Sequence, residues 1–169
     1  MICSGDAGIY AMGALVYELL DRDEADGGVS DAARRVQIVS APGISALQAA
    51  AARSGAILGH DFCAISLSDL LTPWEAIEKR IHAAGVGDFV VAFYNPVSKR
   101  RRTQLAAARE ILMQYRGGDV PVILASSLGR PDEKIQYRTL GGLDIDEVDM
   151  LTTVMVGASS SCLLYTSPS

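Results

Sequence analysis

Phe89-Val90-Val91-Ala92-Phe93-Tyr94-Asn95-Pro96 decides the architecture of this chain. An apolar run without polar alternation reads as a strand buried on both faces, and Asn-Pro ends it in a turn. A strand of that kind needs helices on either side, and the flanking sequence supplies them. Upstream, Thr72-Pro73-Trp74-Glu75 has the pattern of a capping box with proline in the first turn, so a helix is expected from there to about Ala84. Downstream, Arg102 to Tyr115 has helical periodicity. Further strands are expected at Phe62–Leu67, Val120–Ala125, Lys134–Thr139 (exposed) and Leu151–Val156. Toward the amino end, Ile9–Leu20 carries an apolar stripe of Ile9, Met12, Leu15, Val16, Leu19 and Leu20. Val36–Val39 reads as a short strand, and Pro42-Gly43 turns it into a helix over Ser45–Arg53 that Gly55 ends. This alternating order predicts the α/β class.

Composition narrows the function. The 169 residues carry a net charge of −5, which argues against a dedicated nucleic-acid binder, a role that usually needs a basic domain. No apolar run approaches the roughly 20 residues of a membrane-spanning helix, and the start lacks the pattern of a signal peptide. Three cysteines without metal or disulfide spacing fit a reducing compartment, so the cytoplasm is expected. His60 and His82 are not in ligand spacing with Cys3 or Cys63, and no metal site is expected.

Four segments carry candidate chemistry. In Ser4-Gly5-Asp6-Ala7-Gly8-Ile9-Tyr10, two glycines allow a tight turn and close backbone approach to a ligand. The helix that follows would aim free N–H groups at that ligand, and Asp6 is placed to accept from its hydroxyl or amine. The same pattern also serves as a plain structural turn; it is neither a dinucleotide loop nor a P-loop. Ala41-Pro42-Gly43-Ile44-Ser45-Ala46 is a second turn, with Ser45 a candidate N-cap. Tyr94 and Asn95 offer a flat ring, a hydroxyl and an amide suited to an adenosine. Lys99-Arg100-Arg101-Arg102 forms a basic patch on an acidic chain, either a solvated helix start or a landing zone for a polyanion. No aromatic residues interleave with it, which disfavours single-stranded nucleic acid. Ser66, Ser68 and Asp69 precede the capped helix in a polar loop, and His60-Asp61 is a candidate proton-transfer pair or a loop cap.

Taken together, SGDAGIYAM, APGISALQAAAARSGAILGHDFCAISLSDLLTPW, FVVAFYNPVSKRR and VDMLTTVMVG, in this order, resemble the tetrapyrrole (corrin and porphyrin) methylase family over Ile2 to Ser161. The resemblance implies a two-lobed α/β fold that binds S-adenosylmethionine between its lobes, usually as a homodimer when full length. Residues 1–59 would be the remnant of an incomplete first lobe and 60–161 the second. The family's opening strand and Gly-x-Gly-Pro-Gly loop do not occur, so the chain is expected to be cut short at both ends. Cys162–Ser169 matches one reading frame of a sequencing adaptor and is expected to be read-through.

The donor would lie against Gly5, Asp6, Ala7, Gly8, Ile9, Ser45, Ala46, Tyr94, Asn95, Thr152 and Thr153, the last two read as a loop. Leu128 and Gly129 are a further match. The implied reaction is methylation of carbon 17 of precorrin-3B, or of cobalt-factor III, with ring contraction in cobalamin biosynthesis. Arg100, Arg101 and Arg102 would meet the carboxylates of the tetrapyrrole. His60, Ser68 and Asp69 are the candidates for proton handling. Alternatives are a family member acting on another precorrin carbon, an rRNA ribose or diphthine, and a non-catalytic ligand-binding fragment.

Overall fold

A computed structural model describes residues 2–161. The expected adaptor-derived octet, Cys162–Ser169, lies outside the described residues. Two compact units form, Met1–Ser45 and Ala46–Ser169.

The second unit realises the α/β expectation. Its elements are α3 (Ala46–Ser54), β1 (Phe62–Ser66), α4 (Trp74–Val86), β2 (Val90–Tyr94), α5 (Thr103–Leu112), β3 (Pro121–Ser126), β4 (Lys134–Thr139) and β5 (Thr152–Val156). The strands form one sheet in the order β1-β2-β5-β3-β4. β1 and β2 are parallel, while β5 runs antiparallel to both β2 and β3, and β4 antiparallel to β3. The Phe89–Asn95 stretch thus becomes an inner strand, whose Val90, Val91, Ala92 and Phe93 are all buried.

Side chains alternate across the pleat and split the core in two. Ile65, Val91, Phe93, Val122, Leu124, Val154 and Val156 pack with Ile77 and Ile81 of α4 and Leu105 and Leu112 of α5. On the other face Val90, Ala92, Ile123, Ala125 and Met155 pack with Leu47 and Ala50 of α3 and with Ile57. β4 is an edge strand that carries Lys134, Gln136 and Arg138, the kind of polar decoration that discourages edge-to-edge pairing. Among the described residues no helix is long and apolar enough to cross a membrane.

Two expectations about this unit need correction. The capping box at Thr72–Glu75 does not form: Pro73 is the N-cap of α4, and no side chain caps it. Proline has no N–H and holds an extended ψ of 142° here, so the helix starts at Trp74. Thr152 and Thr153 belong to strand β5 rather than to a loop, because their backbones pair with Ser126 and Ala125 of β3.

The first unit contains α1 (Gly13–Asp21) and the short α2 (Asp31–Arg34). The apolar stripe predicted a helix from Ile9, but residues 6–12 are held in turns by Ile9 N–H donating to the Asp6 carbonyl and Gly13 N–H donating to that of Ala7. Tyr10, at φ 51°, is left-handed and incompatible with a helix. No residue of α1 is buried. The strand expected at Val36–Val39 is absent, since a strand needs a hydrogen-bonded neighbour and none pairs with it among the described residues. The acidic connection after Asp21 is more ordered than its composition suggests. Ser30 Oγ accepts from Ala33 N–H to cap α2, and Arg34 reaches back to the Arg22 carbonyl and Asp23.

Candidate functional site

In the second unit, parallel β1 and β2 finish at the same edge of the sheet, where antiparallel β5 begins. The register therefore lines up Ser66, Tyr94 and Thr153 across neighbouring strands, with Ala125 beside Thr153 and Thr152 beside Ser126. Ligands of open α/β sheets bind at such carboxyl edges. Alternation puts Tyr94 and Thr153 on the face that α3 covers. The Tyr94 hydroxyl accepts from Leu47 N–H at 2.9 Å, satisfying an N–H in the first turn of α3. The sequence assigned that hydroxyl to a ligand; the structure also gives it a role in anchoring Ala46–Leu47 to the sheet. Thr152 Oγ1 bonds Asp149 Oδ1 and Ser126 Oγ, each at 2.7 Å, and lies buried toward the α5 side.

A polar network ties down the bend after β2. Asn95 adopts φ 50°, and its Nδ2 donates to Ser66 Oγ at 3.0 Å. Its carbonyl accepts from Arg101 Nη2 at 2.8 Å. Arg101 Nη1 pairs with Asp69 Oδ1 at 3.5 Å, and the other Asp69 oxygen accepts from Gln104 Nε2 at 2.9 Å. Only 10% of the Arg101 side chain is exposed. The basic run therefore separates into individuals. Arg101 is turned inward, which removes it from the surface patch expected for substrate carboxylates. Arg102, half exposed, pairs with Asp146 at 3.0 Å, and Arg100 is exposed. Ser68 follows β1 in the same loop, its N–H donating to Ser66 Oγ at 3.3 Å.

His60 is placed differently. It precedes β1, at the amino edge, so a whole strand of about 15 Å separates it from Ser66 and Tyr94. Its electrostatic neighbour there is Asp88, not the Ser68–Asp69 loop. His82 Nδ1, on α4, contacts the hydroxyl of Tyr115, in the turn after α5, at 2.7 Å. Burial pushes the Cys63 thiol up, with the Arg116 charge only partly opposing, so this cysteine is not an activated nucleophile. Gly129, at φ 75°, turns the chain after β3 beside half-buried Leu128, and a side chain there would meet open space.

In the first unit Asp6 organises the glycine loop. Oδ1 accepts from Gly8 N–H at 2.8 Å and Oδ2 from Gly43 N–H at 2.9 Å. Asp6 thereby clasps its own loop to the Pro42-Gly43 turn, and Ser45 follows at the end of this unit. Each carboxylate oxygen keeps a further lone pair, so the clasp is compatible with accepting from a ligand. The loop also walls a cleft of about 460 Å³ lined by Gly5, Ala7, Gly13, Val16, Tyr17 and residues 37–41, within the size range of small-molecule sites.

The backbone bonds from Gly43 and then Gly8 hold the Asp6 carboxyl below its usual range. Such a group contributes stability above its unfolded value near about 3.9, lost as pH falls through the lower folded value. The Gly8 and Gly43 amide resonances should therefore titrate together with a midpoint below about 3.9. A midpoint at or above that value would show that the clasp is not formed.

The α3-side row of the sheet offers hydroxyls on Ser66, Tyr94 and Thr153 and a small residue at Ala125. What the sequence did not reveal was the use of Tyr94 as an anchor for α3, and the Arg101–Asp69–Gln104 link.

Known proteins resemble the chain along nearly its whole length. The family model for Tetrapyrrole (Corrin/Porphyrin) Methylases matches residues 1–144. The precorrin-3B C(17)-methyltransferase of Sinorhizobium sp. is 46% identical over 158 residues, covering 94% of this chain and 60% of that protein. The probable cobalt-factor III C(17)-methyltransferase of Salmonella typhimurium is 48% identical over 157 residues, covering 93% and 61%. The crystal structure of the methyltransferase CobJ superposes with a TM-score of 0.82 at 40% identity, covering 94% of this chain and 63% of that one. The chain thus spans about three-fifths of the length of these relatives. On this match and this fold, the chain belongs to the tetrapyrrole (corrin/porphyrin) methylase family.

Proposed function

We propose that this chain carries donor-binding machinery of an S-adenosylmethionine-dependent methyltransferase acting on carbon 17 of precorrin-3B, or of cobalt-factor III, with ring contraction in cobalamin biosynthesis. The observation that carries the reading is the 46% and 48% identity to relatives bearing those names. The donor supplies an already activated methyl group. Held by the donor residues, it would deliver that methyl to the ring carbon with the S–CH3 electron pair left on sulfur.

The protein's task is then to position two reactants and exclude water, which can supply much of the rate effect without a nucleophilic side chain. Gly5, Asp6, Ala7, Gly8, Ile9, Ser45, Ala46, Tyr94, Asn95 and Thr153 are the donor residues in this reading, with Thr152 supporting Thr153 from the strand. Ser68 and Asp69 are its proton-handling candidates. Arg100 and Arg102 face the carboxylates of the macrocycle. The reading divides the lobes at Gly59–His60. It places the protein in the cytoplasm as a homodimer when full length, without nucleic-acid or membrane partners.

Calorimetry with S-adenosylhomocysteine tests the donor reading: a folded chain should bind one equivalent, and a folded chain that evolves no binding heat overturns it. Arg100→Ala should weaken tetrapyrrole binding, read as KM or Kd, about fivefold, the scale of one exposed charge–charge contact. It should leave the affinity for S-adenosylhomocysteine within about twofold. Loss of donor affinity instead would remove Arg100 from the substrate surface.

A further inference from the structure

We propose that Arg101 is a positioning residue for the methyl donor, acting through Asn95, rather than a ligand of the tetrapyrrole carboxylates. The inference rests on the donor reading above, but the geometry behind it does not.

Arg101 makes two contacts at once. One arm of its guanidinium donates to the Asn95 carbonyl at 2.8 Å, and the other pairs with Asp69 at 3.5 Å. Asp69 is itself fixed from its far oxygen by Gln104 of α5. The loop that carries Arg101 is closed on itself: Ser98 N–H donates to the Arg101 carbonyl at 2.8 Å, and Arg101 N–H donates back to that of Ser98 at 3.3 Å. The side chain is 10% exposed, and its Nε is buried without a hydrogen-bond partner. A surface arginine waiting for a ligand would keep that N–H in water. Leaving it unsatisfied is costly, so the guanidinium orientation is dictated by its two arms.

What those arms hold is a left-handed bend. Asn95 sits at φ 50°, a region that asparagine enters more readily than other non-glycine residues, and its neighbours fix it there. Three constraints converge on it: Nδ2 on Ser66 of β1, the carbonyl on Arg101, and the preceding Tyr94, whose hydroxyl is fixed by Leu47 N–H of α3. The bend at Tyr94–Asn95 therefore belongs to a braced unit joining the ends of β1 and β2, α3 and the start of α5. Arg101 is the one member that reaches both the carbonyl of the bend and the loop after β1. A ligand seated on Tyr94–Asn95 binds a preformed surface, and the ordering cost is met by the fold.

The test compares wild-type chain with Arg101→Ala, Arg101→Lys and Asp69→Asn. Three quantities are read: calorimetric Kd for S-adenosylhomocysteine, Kd for the tetrapyrrole substrate, and amide hydrogen exchange over residues 94–98. Expected for Arg101→Ala is a donor Kd raised at least tenfold, tetrapyrrole Kd within about twofold, and clearly faster exchange at 94–98. Lysine carries a single point charge that satisfies one arm, so Arg101→Lys should fall between, and Asp69→Asn should repeat the exchange effect more weakly.

Unchanged donor affinity with weakened tetrapyrrole binding in Arg101→Ala overturns the proposal in favour of a substrate ligand. Should Arg101→Ala fail to fold, wild-type donor affinity in both Arg101→Lys and Asp69→Asn overturns it as well. If wild-type chain binds no S-adenosylhomocysteine, the donor reading fails and the positioning role falls with it. The brace is then judged on exchange alone, and unchanged protection at 94–98 in Arg101→Lys removes that too.

Discussion

Replacing Arg116 with Ala is expected to destabilise the protein by about 4 kcal/mol without altering donor binding in the molecules that remain folded. The side chain of Arg116 is 0% exposed, and its Nη1 donates to the carbonyls of Phe89 (3.0 Å) and Gly157. Nη2 donates to the Ala84 carbonyl at 3.2 Å, and Asp88 pairs with the guanidinium at 3.7 Å. One buried cation thus joins the end of α4, the start of β2 and the end of β5. Burial pushes its proton affinity down and Asp88 restores part of it; the group stays charged because its arms are nearly all engaged.

After truncation Ala84 keeps the Phe89 N–H and Asp88 keeps Ser159, so the cost falls on the Phe89 and Gly157 carbonyls, at about 1–3 kcal/mol for each lost partner. For a chain of this length, a loss of about 4 kcal/mol corresponds to a fall in Tm of roughly 8–16 °C. Arg116→Lys, which cannot reach three carbonyls, should recover about half of it. Thermal denaturation reads the first effect and calorimetry below the transition the second. A fall in Tm of under about 3 °C would show the contacts to be dispensable.

Arg116 also marks where sequence reading stops. It follows an amphipathic helix and precedes Gly117-Gly118, a context in which an arginine normally faces solvent. Its burial is set by elements 27 and 41 residues away, and no local pattern reports that. The basic run shows the same limit: Arg100, Arg101 and Arg102 look equivalent in sequence. Asp69 and Asn95 draw Arg101 inward, Asp146 holds Arg102, and Arg100 stays exposed.

Where a local pattern itself reports burial or turning, legibility is good. All five strands of the sheet are legible to within a residue or so: inner strands such as β2 from continuous apolar runs like Val90–Phe93, and the edge strand β4 from its alternation of polar Lys134, Gln136 and Arg138 with Ile135 and Tyr137. In the first unit the same rules overreached. The stripe from Ile9 to Leu20 reports an apolar face, and periodicity cannot say that Asp6 and Ala7 will instead fold residues 6–12 into turns. Val36–Val39 has strand composition, but composition supplies no neighbour to pair with. The glycine loop itself was legible as a bend. Its internal clasp was not, since Asp6 meets Gly43 across 37 residues.

That clasp leads to the second large effect, at Gly43. A Cβ there would stand 2.1 Å from the Gly5 carbonyl oxygen, 2.9 Å from its carbon and 3.2 Å from Asp6 Cα. All three are backbone atoms, so no side-chain rotation relieves the clash; the Gly5–Gly8 loop and the Pro42-Gly43 turn have to separate. Separation breaks the bond from Gly43 N–H to Asp6 and leaves that carboxylate with Gly8 alone. Overpacking of this kind costs typically 1–3 kcal/mol, and taking about 2 kcal/mol gives roughly a thirtyfold loss. Gly43→Ala should therefore raise the Kd for S-adenosylhomocysteine about thirtyfold, and the shared low-pH titration of the Gly8 and Gly43 amides should disappear. Gly59→Ala is the control, because a Cβ at Gly59 meets nothing within 4 Å and its Kd should match wild type. A Gly43→Ala chain that has lost the shared titration but binds the donor analogue at wild-type strength would detach the glycine loop from donor binding. The reading would then rest on Ser45, Ala46, Tyr94, Asn95 and Thr153 alone.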